Sequence, residues 1–523
     1  MAARPAPASV ALLALLAALA ALGPLAAPAA AARGQVTMLE DTGLLLRQGP
    51  EARRLALDEM RALGVDVVKV RVQWDRLAPA PNAEARPAFD PRDPGAYPAE
   101  AWAPYDDVVR EATVRGLRPF LMLSPPAPEW ATERGERAGH PGVFKPDPAA
   151  FAAFVTAVGR RYSGTYAGLP AVRLWSIWNE PNHPQFLQPL SEKLGGTLAP
   201  SSPHRYRRLY VAAERALART GHARDTVLFG EILPVGQGRL GPTRLLRPIL
   251  FLREFLCLDH EYRPYGGAAA RARGCTRFPR IRTSGFAYHA YTKPDGPRVP
   301  LPHPDDATIG QIRRVERALD RMARTGRVRR RLPVWNTEFG LQTEPPDCVG
   351  FGTTVARQAA YLNEAEWVSF RRPRVKSYSN YLLVDDPVFK AFPPGSNERY
   401  RGYQTGLRFG EAASRCDSPG TIYPVGTAKA PSYDAFRTPL YVRRVSAGRV
   451  EVWGWARPRR REAQAVEVLL GGRVVRTVTA RGPFTLGLPA RTRGPWQLRW
   501  AFGGQTFVSR RASALADPPP RSL

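Results

Sequence analysis

Two stretches of this chain end an apolar, aromatic-rich run with a glutamate. Residues 172–182, VRLWSIWNEPN, carry Glu180, and residues 332–340, LPVWNTEFG, carry Glu338. Each reads as a buried strand that stops abruptly among turn formers. Two carboxyls delivered at strand ends can face one another across a cleft. Paired in that way, one can hold a proton and give it up while the other stays ionised, to attack an electrophilic carbon or to activate water. Other polar side chains also fall at or near the ends of apolar runs: Arg71 in VDVVKVRVQW, Glu231, His289 and Tyr291 in YHAY, and Tyr378, Asn380 and Tyr381 in YSNY. Trp130 closes a proline-rich stretch, SPPAPEW.

Positioning these residues needs strands that end together. A short apolar run over 36–39 comes first; residues 51–63 have helical spacing and stop at Gly64, and residues 65–74 are a β-branched run suited to a buried strand. The pattern repeats as a helix over 105–115, a strand over 117–124, a helix over 148–162 and a strand over 172–178. A helix over 203–220, opened by Ser202 as cap, leads to a strand over 226–233. A long irregular insertion with a helix near 243–255 follows. Then come strands over 285–292, 332–339 and 375–384, separated by helices over 308–325 and 355–370, with the last helix reduced to 434–437 and its neighbours. This alternation predicts an α/β fold with a parallel sheet covered by helices. Eight strands in roughly 400 residues favour a (β/α)8 TIM barrel. The rival is an open doubly wound sheet, and no glycine-rich phosphate loop follows the first strand to support it. Past about Pro439 the chain turns to short runs, several of them alternating, separated by Gly, Pro and Arg. The expected organisation is a barrel over 33–437, a small all-β sandwich-like domain over 438–512 and a Pro-rich tail over 513–523.

Working residues of such a barrel lie at the C-terminal ends of its strands. On the second strand Lys69, Arg71 and Gln73 share one face and Val68, Val70 and Val72 the other. A carboxylate is the natural partner for Arg71. His289 and Tyr291 share a face with the small Gly285 and Ala287, an inward line whose polar tips converge at the mouth. Glu231 is expected at the rim or behind the reacting groups. Glu40 and Asp41 either touch a ligand or cap the next element. Strict alternation puts Asn179 and Glu180 on opposite faces, so both reach the mouth only if the strand bends there, as Pro181 would allow. A mouth of carboxylates, Arg, His, Asn and aromatics suits an oxygen-rich ring such as a sugar. A proton-holding and an ionised carboxyl are the equipment for glycoside cleavage.

The run Trp178-Asn179-Glu180-Pro181-Asn182 resembles the acid/base signature of the large clan of retaining glycoside hydrolases on (β/α)8 barrels. In that clan an Asn-Glu pair ends the fourth strand and a nucleophilic Glu the seventh. Its cellulase-like and β-xylosidase-like members are the most similar. The resemblance covers about 36–437 and leaves out the β domain. It implies that Glu180 is the general acid/base and Glu338 the nucleophile. It further implies that Asn179 holds a sugar 2-hydroxyl, that Arg71 and Tyr291 support Glu338, and that His289 lines the reacting subsite. Trp130 is a candidate stacking platform for a sugar. Many clan members place a Trp on the eighth strand; here the candidates are Tyr378, Asn380 and Tyr381. Such chemistry needs no metal and no organic cofactor. Two rivals share the barrel: a non-catalytic carbohydrate-binding or envelope-associated protein, and a transglycosylase with the same catalytic residues.

At 523 residues, 44 % hydrophobic and 23 % charged, the composition is that of a globular protein. Residues 10–22 are an Ala/Leu run, followed by small residues ending in Ala30-Ala31-Ala32, the pattern of a secretory signal over 1–32. An extracellular site of action follows, with association to the cell envelope left open. Cys257, Cys275, Cys348 and Cys416 allow two disulfides in an exported chain, and sequence leaves all three pairings open. The net charge of +30 is carried almost wholly by Arg, alongside much Ala, Pro and Gly, a bias that codon composition explains. The arginines are spread along the chain, with runs over 327–331 and 457–461, and no nucleic-acid-binding module accompanies them. The expected partner of this monomer is an oligo- or polysaccharide, an acidic glycan among the candidates, and not nucleic acid. Trp453, Trp455, Trp496 and Trp500 would mark a polysaccharide-binding face if they formed an exposed row, but alternation places at least half in the core.

Overall fold

The computed structural model describes residues 34–133, 141–347, 350–410, 426–459, 462–489 and 494–516. The expected leader over 1–32, Cys348 and Cys416 lie outside them. Eight parallel strands form the central sheet: β1 (Val36–Glu40), β2 (Val67–Gln73), β3 (Arg118–Ser124), β4 (Leu174–Ile177), β5 (Thr226–Ile232), β6 (Gly285–His289), β7 (Val334–Glu338) and β8 (Ser377–Tyr381). They pair in the order β8-β1-β2-β3-β4-β5-β6-β7. A parallel bridge between Val334 and Val375 closes β7 onto β8, so the sheet is a barrel. Helices Gly49–Ala62, Ala99–Val114, Pro148–Arg161, Ser202–Leu217, Ile312–Ala323 and Val355–Phe370 cover it. The expected TIM barrel is therefore present. The alternation also missed a short hairpin of Ser191–Leu194 with Thr197–Pro200 after β4, and the short helices Thr42–Arg47 and Gly267–Ala272. No helix of the described residues is long and apolar enough to cross a membrane.

Period 2 along the strands sorts the two faces. Val68, Val70 and Val72 join the large cluster between sheet and helices. The barrel interior holds a separate apolar layer: Met38, Val67, Phe120, Met122, Leu174, Leu228 and Ala287. Above this layer, towards the C-terminal strand ends, the interior becomes ionic.

Two four-stranded sheets, antiparallel except for one short parallel edge strand, follow the barrel and enclose their own core, with Val452, Val466, Leu498 and Trp500 in it. Leu515–Ala516 pairs with Arg443–Arg444, so the sandwich takes in the start of the expected tail. Its four tryptophans are all buried, and no exposed aromatic row is formed. Arg457 is wholly buried where the two units meet: Nη1 donates to Thr37 Oγ1 at 2.6 Å, and Nη2 to Glu366 Oε2 at 2.6 Å. Thr37 lies early in β1, so this junction is at the barrel end opposite the mouth. Cys257 and Cys275 form a disulfide that ties the insertion after β5.

Candidate active site

The strand ends that carry carboxylates break regular geometry, and the break aims the side chains. On β5, alternation from the inward Leu228 would turn Glu231 towards the helices. A register shift between Gly230 and Ile232 intervenes. Gly230 has φ +123, and a Cβ there would meet Ala287 O at 2.2 Å, so only glycine fits. Glu231 takes φ +52 and is turned into the barrel, wholly buried. A second shift, between Tyr288 and His289 against β7, pairs His289 with Glu338 in place of Thr337. This bulge brings both Thr337 and Glu338 inward. Beyond β4, Trp178 and Glu180 have φ +70 and +37. Trp178 swings out onto Phe151, ring centres 5.2 Å apart, and donates Nε1–H to Phe186 O. The bend that the Asn179–Glu180 pair requires is thus made by two left-handed residues. Each such residue costs about 1–3 kcal/mol, which surrounding bonds must offset. Asn182 supplies some of them, linking to Leu233 N and O and to Leu246 O, while Glu180 N donates to Glu231 O at 2.9 Å.

At the centre is Lys69, wholly buried. Its Nζ lies 2.9 Å from Glu338 Oε1, 3.0 Å from Glu231 Oε2 and 2.9 Å from Glu40 Oε2. The first two contacts are hydrogen bonds; the third is an ion pair without hydrogen-bond geometry. His289 is the second hub. Its Nδ1 is 2.7 Å from Glu180 Oε1 and 3.3 Å from Glu338 Oε2, and its Nε2 is 2.5 Å from Glu231 Oε2. Tyr291 donates to Glu338 Oε2 at 3.0 Å, and Thr337 to Glu231 Oε2 at 2.8 Å. Through this network a Glu180 oxygen and a Glu338 oxygen come within 4.8 Å of one another.

The charges set one another. Burial opposes a charge on His289, but Glu338, Glu180 and Glu231 outweigh it and raise the imidazole to about 10. Burial alone would raise Glu231; Lys69 and His289 reverse that and lower it to about 2. Glu338 follows the same logic, with burial overcome by His289, Lys69 and Arg71, and is held below the usual carboxylate range. Glu40 goes the other way: burial and Glu338 exceed the pull of Lys69 and Arg71, and it rises to about 7. Burial and the nearby Glu338 push the Tyr291 hydroxyl well up, so it stays a donor. Glu180, His289 and Glu338 are also grouped closely enough to hold a cation. With His289 protonated, its ring offers no lone pair, and a metal would have to displace that proton.

Of the residues singled out in the sequence, Glu180, Glu338, His289 and Tyr291 come together in one cluster. Asn179 is buried beside Glu180, and its Oδ1 has no hydrogen-bond partner among the described residues. Arg71 has a carboxylate partner of the kind expected, Glu40, and acts on Glu338 through its charge without touching it. It stands at the mouth with 26 % of its side chain exposed and its Nε 3.5 Å from Glu40 Oε1; the direct hold on Glu338 belongs to Lys69. The reason is depth: Lys69 is one inward position below Arg71 on β2. Trp130 is not in the cluster. It donates Nε1–H to Pro79 O and packs edge-on against Trp74 and Phe89, in the loops after β2 and β3. On β8, Tyr378 turns to the helix layer and bonds Leu362 O, Asn380 bonds Leu382 O, and Tyr381 lies edge-on to Tyr403 at 5.2 Å. Asp41 is a cap, accepting from Leu44 N.

Sequence reasoning passed over Lys69, underrated Glu231 and missed Tyr403. A lysine between valines on an inward line was a usable signal, since a buried ammonium requires carboxylates. Tyr403 left none: it arrives on the long loop after β8, where Glu180 and Glu338 lie close enough to raise its hydroxyl further. Beside the cluster opens a pocket of about 350 Å³, with Tyr291, Tyr403, Tyr400, Leu341 and Phe351 in its walls.

No family model matches the chain, and no curated protein matches its sequence. Among solved structures, the chain is similar to a family 39 glycoside hydrolase from the gut symbiont Bacteroides cellulosilyticus WH2. Identity is 14 % over 87 % of this chain and 79 % of that one, with a TM-score of 0.48. It is also similar to GH5_18 from Streptomyces cattleya in complex with GlcNAc, at 17 % identity over 78 % and 81 % of the two chains and TM-score 0.45. A family 1 β-glucosidase from Thermotoga maritima matches at 11 % identity over 72 % and 92 %, with TM-score 0.44. The structural neighbours are glycoside hydrolases. At these identities the likeness assigns no residue a role.

Proposed function

We propose that this protein is a secreted retaining glycoside hydrolase that cleaves O-glycosidic bonds by double displacement. Glu338, held ionised by Lys69, His289 and Tyr291, attacks the anomeric carbon while Glu180 gives a proton to the departing oxygen. A glycosyl ester of Glu338 forms. Water, deprotonated by Glu180, then releases the sugar with its anomeric configuration kept. Asn179, with its unpartnered buried oxygen, and Arg71 at the mouth are placed to bind sugar hydroxyls. Tyr381 and Tyr403 take the part of the missing tryptophan on β8 as aromatic walls of the reacting subsite.

The observation that carries this reading is the approach of Glu180 and Glu338 to within 4.8 Å, oxygen to oxygen, around one imidazole nitrogen. Retaining pairs stand about 5–5.5 Å apart; inverting pairs need about 6.5–9.5 Å to fit a water. The test is a panel of chromogenic aryl glycosides, followed by NMR of the first-formed anomer. Retention of configuration is expected, and Glu338→Gln should cut turnover on the order of 10⁴-fold or more. Inversion, or a Glu338→Gln variant with wild-type turnover, would overturn the reading.

A further inference from the structure

Part of the cationic excess gathers in one groove of about 710 Å³ on the outside of the barrel. Helix Ile312–Ala323 forms one wall. It packs Ile312, Val315, Leu319 and Met322 inward and leaves Arg313, Arg317, Asp320 and Arg324 on one exposed stripe. Both acids in the groove are already engaged. Glu316 pairs with Arg372, and Asp320 with Arg374 at 2.8 Å. Arg313, Arg317, Arg324, Arg330 and Arg331 have no carboxylate partner among the described residues and line the same groove. Arg313 and Arg317, one helical turn apart, repel each other. With seven arginines against two acids, the groove keeps a cationic excess that its own side chains only partly offset.

The groove lies away from the mouth. Residues 324–331 run into the start of β7, and residues 372–374 into the start of β8, whereas Glu180 and Glu338 sit at strand ends. Its walls hold neither aromatic nor apolar side chains, only Arg, Asp and Glu. That removes the stacking platforms on which single-stranded nucleic acid is held, and the apolar face that inserts into lipid. What remains is a row of planar guanidinium forks, which match carboxylates two bonds at a time. Their helical-turn spacing suits a chain with one charge per sugar ring.

We propose that this groove binds a polyanionic glycan carrying carboxylates along its chain, and so tethers the protein to an acidic polysaccharide while the mouth stays open. The choice of a glycan rests on the glycosidase reading; the binding itself is measured without it. The experiment uses the whole chain and polygalacturonate in affinity electrophoresis at about 0.1 M salt, where charges beyond about 10 Å are screened. Dextran serves as the neutral control. Arg317→Glu/Arg331→Glu should weaken polygalacturonate binding on the order of tenfold. Its thermal midpoint and aryl-glycoside turnover should match wild type. Arg54→Glu/Arg476→Glu makes the same change in net charge at exposed sites elsewhere, and should leave binding within about twofold of wild type.

Equal loss in both double variants would reduce the effect to net charge and overturn the proposal. So would unchanged binding in Arg317→Glu/Arg331→Glu, or groove-dependent binding of duplex DNA or anionic vesicles in preference to polygalacturonate. A wild-type chain inert on every aryl glycoside would instead sink the glycosidase reading, with the groove measurement still standing.

Discussion

Two layers fill the inside of the barrel, and the same strands build both. β1 points Met38 inward and then Glu40; β2 points Val67 and then Lys69; β6 points Ala287 and then His289; β5 points Leu228 and, after a bulge, Glu231. The lower layer is stabilised by burial alone, about 1.5–3 kcal/mol for each large apolar side chain, and asks only for volume. The upper layer is different in kind. Each of its ions is costly to bury and tolerable only beside its partners, so its members cannot be changed one at a time. Net stability comes mainly from the first layer. The second fixes where charges stand and which carboxyl keeps a proton.

Substitutions can break this contrast. The largest effect expected is Lys69→Met. It strands three carboxylates around an apolar tip and should cost about 3–5 kcal/mol at pH 7 in urea unfolding, with turnover lost as Glu338 takes up a proton. A near-neutral result would mean that the upper layer does not depend on its central ion. Phe120→Ala in the lower layer should cost a similar 3–5 kcal/mol or so by opening a cavity, but by the same amount at every pH. The upper layer should make wild-type stability depend on pH. Glu231, lowered from 4.5 to about 2, contributes above pH 4.5 and loses its contribution as pH falls through 2. His289, raised from 6.5 to about 10, contributes below pH 6.5 and loses its contribution as pH rises through 10. Glu40, raised from 4.5 to about 7, favours the fold while protonated and weakens it between those values. Urea midpoints should therefore peak near pH 4.5, falling below it as Glu231 takes up its proton and above it first through Glu40 and then through His289; a flat profile would refute the charge assignments.

Smaller effects sharpen the picture. Tyr291→Phe removes one hydrogen bond to a charged oxygen and should lower kcat/KM on the best aryl glycoside about 10–100-fold, with stability little changed. Trp130→Ala should leave KM within about twofold, since the ring packs on Trp74 and Phe89 away from the carboxylates. A large rise in KM would put Trp130 back at the substrate.

The barrel was legible because its signal is local and repeated. A β-branched strand such as Val67–Gln73 and a helix such as Val355–Phe370 each announce themselves. Glu180 and Glu338 were legible for a similar reason, each closing a buried run beside turn formers. Glu231 was hidden. Period 2 turns it outward, and the Gly230 bulge that reverses it is a property of the packing against Ala287. The direct contact of Lys69 with Glu338 was hidden because alternation gives the face of a side chain and not its depth along the barrel axis.

The sequence by itself determined the strand order, the chemical character of the mouth and the two glutamates that face it, because hydrophobic period and turn residues act within a few positions of themselves. Only the tertiary structure decided which cation holds Glu338, that one imidazole bridges Glu180, Glu231 and Glu338, and that seven arginines from three chain segments line one groove. Those are distances between residues far apart in sequence. They follow from bulges, left-handed turns and barrel closure, whose geometry is settled when the whole sheet closes.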